Sequence, residues 1–219
     1  MNRREFTTTL MAATILSGCN DKESSSSKKI HNNISMKPND WDIRFSHNMP
    51  PEPSASAFGG WNFDFPLKKG SVHYVTTRTS KKITKFVSAQ FRIEALEDEY
   101  WDFTIAPDNK TGSPSSVGLF VQRRDDDMTA EGKKQFYRWW SRGPNGRVEL
   151  KNGTFSLTIP LVMQQWTSVY GKEDQSKFED CFANIESIGF TFGGGCCYGH
   201  GVRTTKGKAK FICTNFTAE

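Results

Sequence analysis

Residues 85–95, KFVSAQFRIEA, decide the fold. Apolar and polar side chains alternate along this stretch, and the apolar set is Val87, Ala89, Phe91 and Ile93. Alternation with a period of two is typical of a β-strand that buries one face and exposes the other. The stretch therefore predicts a strand in a sheet that covers a hydrophobic core.

The same alternation recurs along the chain. It is found in SVGLFVQRR (116–124), GTFSLTIP (153–160) and SIGFTF (187–192), and further candidates are WDIRFS, WNFDF, SVHYVTTR, YWDFTI, QFYRWWSR and KAKFICTNF. Intervening segments such as RGPNGR contain turn-forming residues. One segment, DQSKFEDCFANI, repeats large residues at helical spacing and predicts a short helix near 174–185. About ten strands and one helix predict an all-β fold, an antiparallel two-sheet β-sandwich of the jelly-roll type.

Residues 1–18 have the layout of a signal peptide. Two arginines precede a short apolar stretch, which is too short to span a bilayer, and small residues lead to Cys19. Leu16-Ser17-Gly18-Cys19 resembles the lipobox of bacterial lipoproteins, and Arg3-Arg4 with Phe6 resembles a twin-arginine signal. The lipobox resemblance implies that Cys19 is lipidated and becomes the new N-terminus. We therefore expect an exported lipoprotein that the lipid alone holds at a cell-envelope membrane, in the periplasm or on the outer surface.

The segment 19–40 is polar and rich in serine, so it cannot bury enough apolar surface to offset its ordering entropy. It is predicted to be a flexible tether, and 41–219 is predicted to be a single β-sandwich domain. The whole chain carries a formal charge of +5. That mild excess of basic residues does not indicate nucleic-acid binding.

The glycine-rich stretch IGFTFGGGCCYGHGV (188–202) is interpreted as a structural corner of the sheet. Its glycines lead into a strand, which excludes a P-loop, and adjacent cysteines converge poorly on a zinc ion. An exported domain folds in an oxidising compartment, so the disulfide candidates are Cys181, Cys196, Cys197 and Cys213. Their pairing stays open, and Cys181 also suits a simple buried thiol. His200 lies between two glycines and is either a ligand contact or a loop histidine satisfied by backbone groups.

The best candidate for a binding site is QFYRWWSRGPNGR, residues 135–147. Adjacent side chains on a strand point to opposite faces, so one of Trp139 and Trp140 should point away from the core. Aromatic rings stack on the apolar C–H faces of sugars. Guanidinium groups pair with carboxylate or sulfate, and five arginines near this stretch therefore indicate a carbohydrate, including an acidic polysaccharide: Arg123, Arg124, Arg138, Arg142 and Arg147. The alternative is that both tryptophans fill the core and the arginines solubilise an edge strand.

Several segments together resemble bacterial β-sandwich domains of the carbohydrate-binding-module type. They are GGWNFDFP, VHYV, LTIPL with WTSVYGK, and IGFTFGGG with GHGV and GKAKF, and they cover most of residues 58–217. In such domains a glycine-rich hairpin precedes the last strand. The resulting prediction is a lipid-anchored domain that binds carbohydrate or cell-envelope glycan without chemistry, with candidate contacts Trp139, Trp140, Tyr137, Arg138, Arg142 and His200.

Two other functions are considered. No G-x-S-x-G or H-E-x-x-H signature is present, but a polysaccharide lyase or glycoside hydrolase on this fold could use His200 and Tyr198. The third candidate is a structural or protein-partner envelope lipoprotein. No cofactor is expected, with calcium as the one weaker alternative. Asp125, Asp126 and Asp127 are carboxylates that can bind calcium, but they lack the spacing of a calcium loop and favour a charged turn.

Overall fold

The structure is a computed structural model that describes residues 34–67, 69–95, 114–194 and 198–219, together with the backbone of 101–103. The predicted signal peptide, Cys19, Cys196 and Cys197 lie outside the described residues. Within the described ranges, no helix has the length and apolar character needed to cross a bilayer.

The described residues form fourteen strands and one α-helix. In chain order they are β1 (Trp41–Arg44), β2 (Ser54–Ala55), β3 (Trp61–Asp64), β4 (Tyr74–Arg78), β5 (Phe86–Ala95), β6 (Trp101–Phe103), β7 (Ser115–Arg123), β8 (Arg138–Ser141), β9 (Arg147–Glu149), β10 (Gly153–Pro160), β11 (Trp166–Thr167), α1 (Gln175–Ala183), β12 (Ile185–Gly194), β13 (Val202–Thr204) and β14 (Ala209–Ala218). Short 3-10 turns lie at Pro38–Asp40, Gly132–Phe136 and Met163–Gln165.

The strands assemble into two large antiparallel sheets. The seven-stranded sheet has the order β1-β4-β12-β7-β8-β11, with β9 also paired to β7, and the five-stranded sheet has the order β10-β5-β14-β3-β2. Strands β6 and β13 form a separate two-stranded ribbon. Most neighbours in each sheet are distant in sequence, so long connections cross between strands. The predicted antiparallel two-sheet β-sandwich of the jelly-roll type, with one short helix, is confirmed.

The core lies between the two sheets and is rich in aromatic rings. Trp41 of β1 and Trp61 of β3 approach to 4.7 Å between ring centroids, and Phe190 and Phe211 approach to 5.0 Å. All four side chains are fully buried. Large buried aromatics contribute much of the hydrophobic stabilisation of a small domain. The apolar face of β5 that the sequence predicted contributes Val87, Ala89, Phe91 and Ile93 to the same core.

The folded domain begins earlier than the sequence predicted. Ile34 is buried, and its backbone N–H donates to the carbonyl of Phe216 over 3.1 Å. The indole N–H of Trp41 donates to the carbonyl of Ser35 over 2.7 Å. Residues 34–40, which the sequence assigned to the tether, are therefore packed onto the sandwich.

Helix α1 confirms the helix predicted near 174–185. Asp174 caps its first turn, because its carboxylate accepts the backbone N–H of Lys177 over 3.1 Å. The buried face consists of Phe178, Cys181 and Phe182. This face packs against the core, so the helix closes one side of the sandwich.

The expected disulfides of Cys181 and Cys213 are not formed in the structure. Both residues are buried free thiols, and burial raises the pKa of each. Each thiol lies 3.6 Å from a backbone carbonyl oxygen, that of Tyr137 and that of Asn215 respectively. Apolar packing therefore takes the place of the predicted staple at these two positions. A bridge between Cys196 and Cys197 stays a prediction.

Candidate functional site

An open groove crosses the outer face of the seven-stranded sheet. Its volume is about 450 Å³. Two aromatic side chains form its floor, Tyr74 of β4 and Trp140 of β8, and the buried Phe120 of β7 packs against both. Ring centroids are 4.7 Å apart for Tyr74 and Phe120 and 6.0 Å apart for Phe120 and Trp140. The three rings therefore form one continuous aromatic strip across the sheet, and the first and last of them line the groove.

Strand alternation explains how this strip forms outside the main core. In β7 the side chains of Val117, Leu119 and Val121 enter the core, so Phe120 must point to the opposite face. In β8 the same rule separates the two tryptophans, because Trp139 is in the core while Trp140 pairs with Phe120 across the strands. A sheet with large apolar residues on both faces thus has a core on one side and an aromatic groove on the other.

Trp139, a predicted ligand contact, does not line the groove. Its side chain is fully buried, and its indole N–H donates to the carbonyl of Phe136 over 2.8 Å. Trp140 is the tryptophan that faces the groove. Its indole N–H lies near the Tyr74 phenol but makes no well-formed hydrogen bond with a described residue.

Two exposed aromatic rings rise at the rim. Phe45 follows β1 and is 49% exposed, whereas Tyr170 follows β11 and is 63% exposed. Because β1 and β11 are the two edges of the sheet, these rings stand at opposite ends of the groove. Phe45 has a φ of 55°, which is unfavourable for a bulky residue, and its ring contacts Tyr74 edge-on at 6.1 Å.

The glycine-rich stretch builds one wall of the groove. Gly199 and Gly201 have φ values of 79° and 86°, which favour glycine. A Cβ at Gly199 would collide with the Tyr74 hydroxyl, and one at Gly201 would collide with the His73 ring. The two glycines therefore let the loop approach closely enough to set Tyr198 and His200 along the groove.

His73 is a structural support of this wall. Its Nδ1 donates to the carbonyl of Gly199 over 3.0 Å, and its Nε2 accepts the hydroxyl of Ser71 over 2.8 Å. The first bond fixes the tautomer, because a carbonyl oxygen can only accept. The pKa of His73 is lowered to about 4, mainly by burial and in part by the nearby His47 and His200, whereas the bond to Gly199 acts to raise it. The ring is therefore neutral at pH 7, with both nitrogens occupied.

Arg138 borders the groove as half of a buried ion pair. Its Nε lies 3.3 Å from Oδ2 of Asp126, and the two side chains are 5% and 0% exposed. The Asp126 carboxylate also accepts the Gln122 side-chain amide over 3.0 Å and the Met128 backbone N–H over 3.1 Å. This network anchors the 125–130 loop, whose residues Met128, Thr129 and Ala130 line the groove.

The three consecutive aspartates form a charged turn. Asp126 forms an ion pair with Arg138. Asp127 forms an ion pair with Lys134 and accepts two hydrogen bonds from Thr129. These bonds lower the pKa of Asp127, with Lys134 the largest cause. Within the described parts of the chain, no group of three or more His, Cys, Asp and Glu residues is arranged to hold a metal ion.

Tyr137 and Arg142, which the sequence also suggested as ligand contacts, lie away from the groove. The Tyr137 ring is covered by the guanidinium of Arg123 at 4.5 Å. Arg142 pairs with Glu173 over 2.5 Å and donates to the carbonyl of Gln164 over 3.0 Å. Of the predicted contacts, Arg138, Trp140 and His200 line the groove, and the sequence missed Phe45, Tyr74 and Tyr170.

The described lining of the groove combines aromatic, hydroxyl and basic side chains. Burial raises the pKa of Tyr74 to about 12, and that of His73 is about 4, so neither group exchanges protons readily near neutral pH. Among the described residues that line the groove there is no carboxylate. Tyr198 and His200, the candidate catalytic pair, both line the wall of the groove.

No protein-family model matches the sequence, and no curated protein matches it significantly. Among solved structures, the chain is similar to a xylan-binding module, CBM15, at 13% identity and a TM-score of 0.44, with 85% of this chain and 94% of that chain covered. It is also similar to the module CtCBM11, studied in solution, at 11% identity and a TM-score of 0.41, with 81% and 87% covered. A xylanase from Cellvibrio japonicus in complex with xylopentaose matches at 12% identity and a TM-score of 0.37, with 85% of this chain but 28% of that chain covered.

Proposed function

We propose that the groove binds a polysaccharide without cleaving it. The observation that carries the proposal is the aromatic floor of Tyr74 and Trp140, with exposed Phe45 and Tyr170 at its two ends. Sugars have apolar C–H faces that stack on such rings and hydroxyl groups that need polar partners. The polar groups of the wall and the aromatic floor supply both kinds of contact.

The dimensions of the groove support this function. Its volume of about 450 Å³ lies within the range of roughly 300–1,000 Å³ that is common for small-ligand sites. Because it runs across the strands from one sheet edge to the other, a sugar chain can lie along it with its ends continuing into solvent. This face of the sheet forms a groove. A protein partner would be favoured by a flat apolar surface instead.

Tyr170 gives a direct test, since its exposed ring can be removed without opening the core. Tyr170→Ala is expected to weaken polysaccharide binding by roughly tenfold, the equivalent of one lost aromatic stacking contact. Phe58→Ala is the matched control, because Phe58 is 67% exposed but lies beside the five-stranded sheet under Arg92. Isothermal titration calorimetry with neutral and acidic polysaccharides measures both variants, and equal weakening by the two would contradict the proposal.

Released products measured in the same samples test the enzymatic alternative. A non-catalytic groove gives binding and no new chain ends. Products that disappear in His200→Ala would instead make the protein a polysaccharide-degrading enzyme.

The proposal includes export and a lipid anchor on Cys19, which would hold the groove near the cell-envelope surface. The support is the order of basic residues, apolar stretch and Leu16-Ser17-Gly18-Cys19 in the sequence. Cys19→Ser is expected to move the expressed protein from the membrane fraction to the soluble fraction. Incorporation of a labelled fatty acid into the unchanged chain but not into Cys19→Ser would support the anchor, and equal labelling of both would exclude it.

A further inference from the structure

Arg147 places a half-buried positive charge directly behind the groove wall. It lies on β9 opposite Gly118 of β7, and its guanidinium covers the ring of Tyr198 at 4.5 Å from the ring centroid. Its Nε donates to Oγ of Ser116 over 2.9 Å, and its Nη2 donates to the Ser116 carbonyl over 3.3 Å. Its Nη1 is buried and has no hydrogen-bond partner among the residues that the structure describes.

Within the described ranges, no carboxylate pairs with Arg147. Its bonds go to Ser116 and its ring contact to Tyr198, and no ion pair to a described residue accompanies them. Arg123, Arg138 and Arg142, by contrast, each pair with an acidic side chain. Even partial removal of a cation from water costs free energy when no counter-ion accompanies it. Burial lowers the pKa of Arg147 to about 10, so the group is still charged at neutral pH.

The neighbouring strand is shaped to accommodate this guanidinium. A Cβ at Gly118 would lie 2.8 Å from Nη1 of Arg147 and 2.9 Å from Oγ of Ser141. Any larger residue at this position would push the guanidinium away from Tyr198. The lack of a side chain at Gly118 therefore leaves room for the Arg147 guanidinium to lie behind the groove wall.

The local charge balance makes the groove positive. Asp126 neutralises Arg138, and the described lining contains no carboxylate. Arg147 contacts the ring of Tyr198, and that ring lines the groove. A low-dielectric wall transmits the field of such a charge better than water does, so the groove attracts anions.

We propose that the groove selects polysaccharides that carry anionic groups, and that Arg147 is the residue that determines this selectivity. The inference rests on the proposed polysaccharide binding. An anionic group of the sugar, either the carboxylate of a uronic acid or a sulfate ester, supplies the counter-charge that Arg147 lacks. Arg147 acts through its charge from behind Tyr198 and is a specificity-determining residue rather than a stacking contact.

The test compares charged and neutral forms of the same sugar chain. Calorimetry with the purified full-length chain uses oligogalacturonate against its carboxyl-reduced form, and sulfated against desulfated carrageenan oligosaccharides. The charged member of one pair is expected to bind roughly tenfold more tightly at low salt, and the difference should shrink as salt is added. The pair that shows the effect identifies carboxylate or sulfate as the recognised group.

Variants assign the effect to Arg147. Arg147→Gln is expected to abolish the preference for the charged form, Arg147→Lys to retain part of it, and the control Arg142→Gln to keep it unchanged. Equal binding of charged and neutral forms by the unchanged protein would overturn the inference and leave the proposed function standing, whatever the folding of the variants. A preference for the charged form that persists in a folded Arg147→Gln would also overturn the inference. If the protein binds neither pair of oligosaccharides and no other polysaccharide, the proposed function itself is wrong.

Discussion

Trp139→Ala is expected to lower the free energy of unfolding by about 3–5 kcal/mol. The side chain is fully buried, stacks against Phe136 at 6.2 Å and meets Phe178 edge-on at 5.1 Å. Its removal leaves an enclosed cavity between β8 and α1, and it also leaves the Phe136 carbonyl without the indole donor. Chemical denaturation followed by fluorescence of the remaining tryptophans measures the loss.

The adjacent Trp140→Ala is the matched control. Both residues are tryptophans of β8, but Trp139 lies in the core and Trp140 lines the groove. Trp140 borders an open groove, so water can fill the space left by its ring and the loss of stability should be clearly smaller. Its effect should instead appear in polysaccharide binding. Equal destabilisation by the two variants would contradict the assignment of Trp139 to the core and Trp140 to the groove.

Asp126→Asn is expected to destabilise the protein by about 3–5 kcal/mol, because it leaves the Arg138 charge buried without its partner. The carboxylate is fully buried and also holds the Gln122 amide and the Met128 backbone N–H. The loop that carries Met128 lines the groove, so polysaccharide binding should weaken as well. Thermal and chemical unfolding measure the first effect and calorimetry the second.

Asp127→Asn gives the comparison within the same turn. Asp127 is exposed and its partner Lys134 is also at the surface, so solvent screens the pair and the stability should stay close to that of the unchanged protein. A large loss in Asp127→Asn, or none in Asp126→Asn, would contradict the assignment of the buried ion pair to Arg138 and Asp126.

The fold could be predicted because its elements are encoded locally. Alternation along β5, β7, β10 and β12 marks strands, and Phe178, Cys181 and Phe182 mark the helix, without any knowledge of distant contacts. The boundary near residue 40 could not be predicted in this way. Ile34 is held by Phe216, and a single apolar residue in a polar segment gives no local signal for a partner so far along the chain.

The site could be predicted only in part, because it is assembled from distant strands and loops. Adjacent tryptophans imply opposite faces, but which of them meets the core depends on the strand register with β7. Tyr137 precedes β8 and follows a 3-10 turn, so it does not obey the strand alternation. Arg142 is held aside by Glu173 in a different loop. Phe45 and Tyr170 reach the groove from loops at the two sheet edges, and no periodic pattern marks such residues.

The indole N–H resonances of Trp139 and Trp140 test the central claim most directly. The measurement is a ¹H–¹⁵N titration of the protein with the polysaccharide that binds most tightly, with Trp140→Phe used to assign the Trp140 signal. The account predicts that the Trp140 signal shifts as the groove fills, whereas the Trp139 signal, sealed in the core by its bond to Phe136, stays in place. Saturable binding that leaves the Trp140 signal unmoved, with shifts clustered on the five-stranded sheet instead, would contradict the claim that this groove is the binding site.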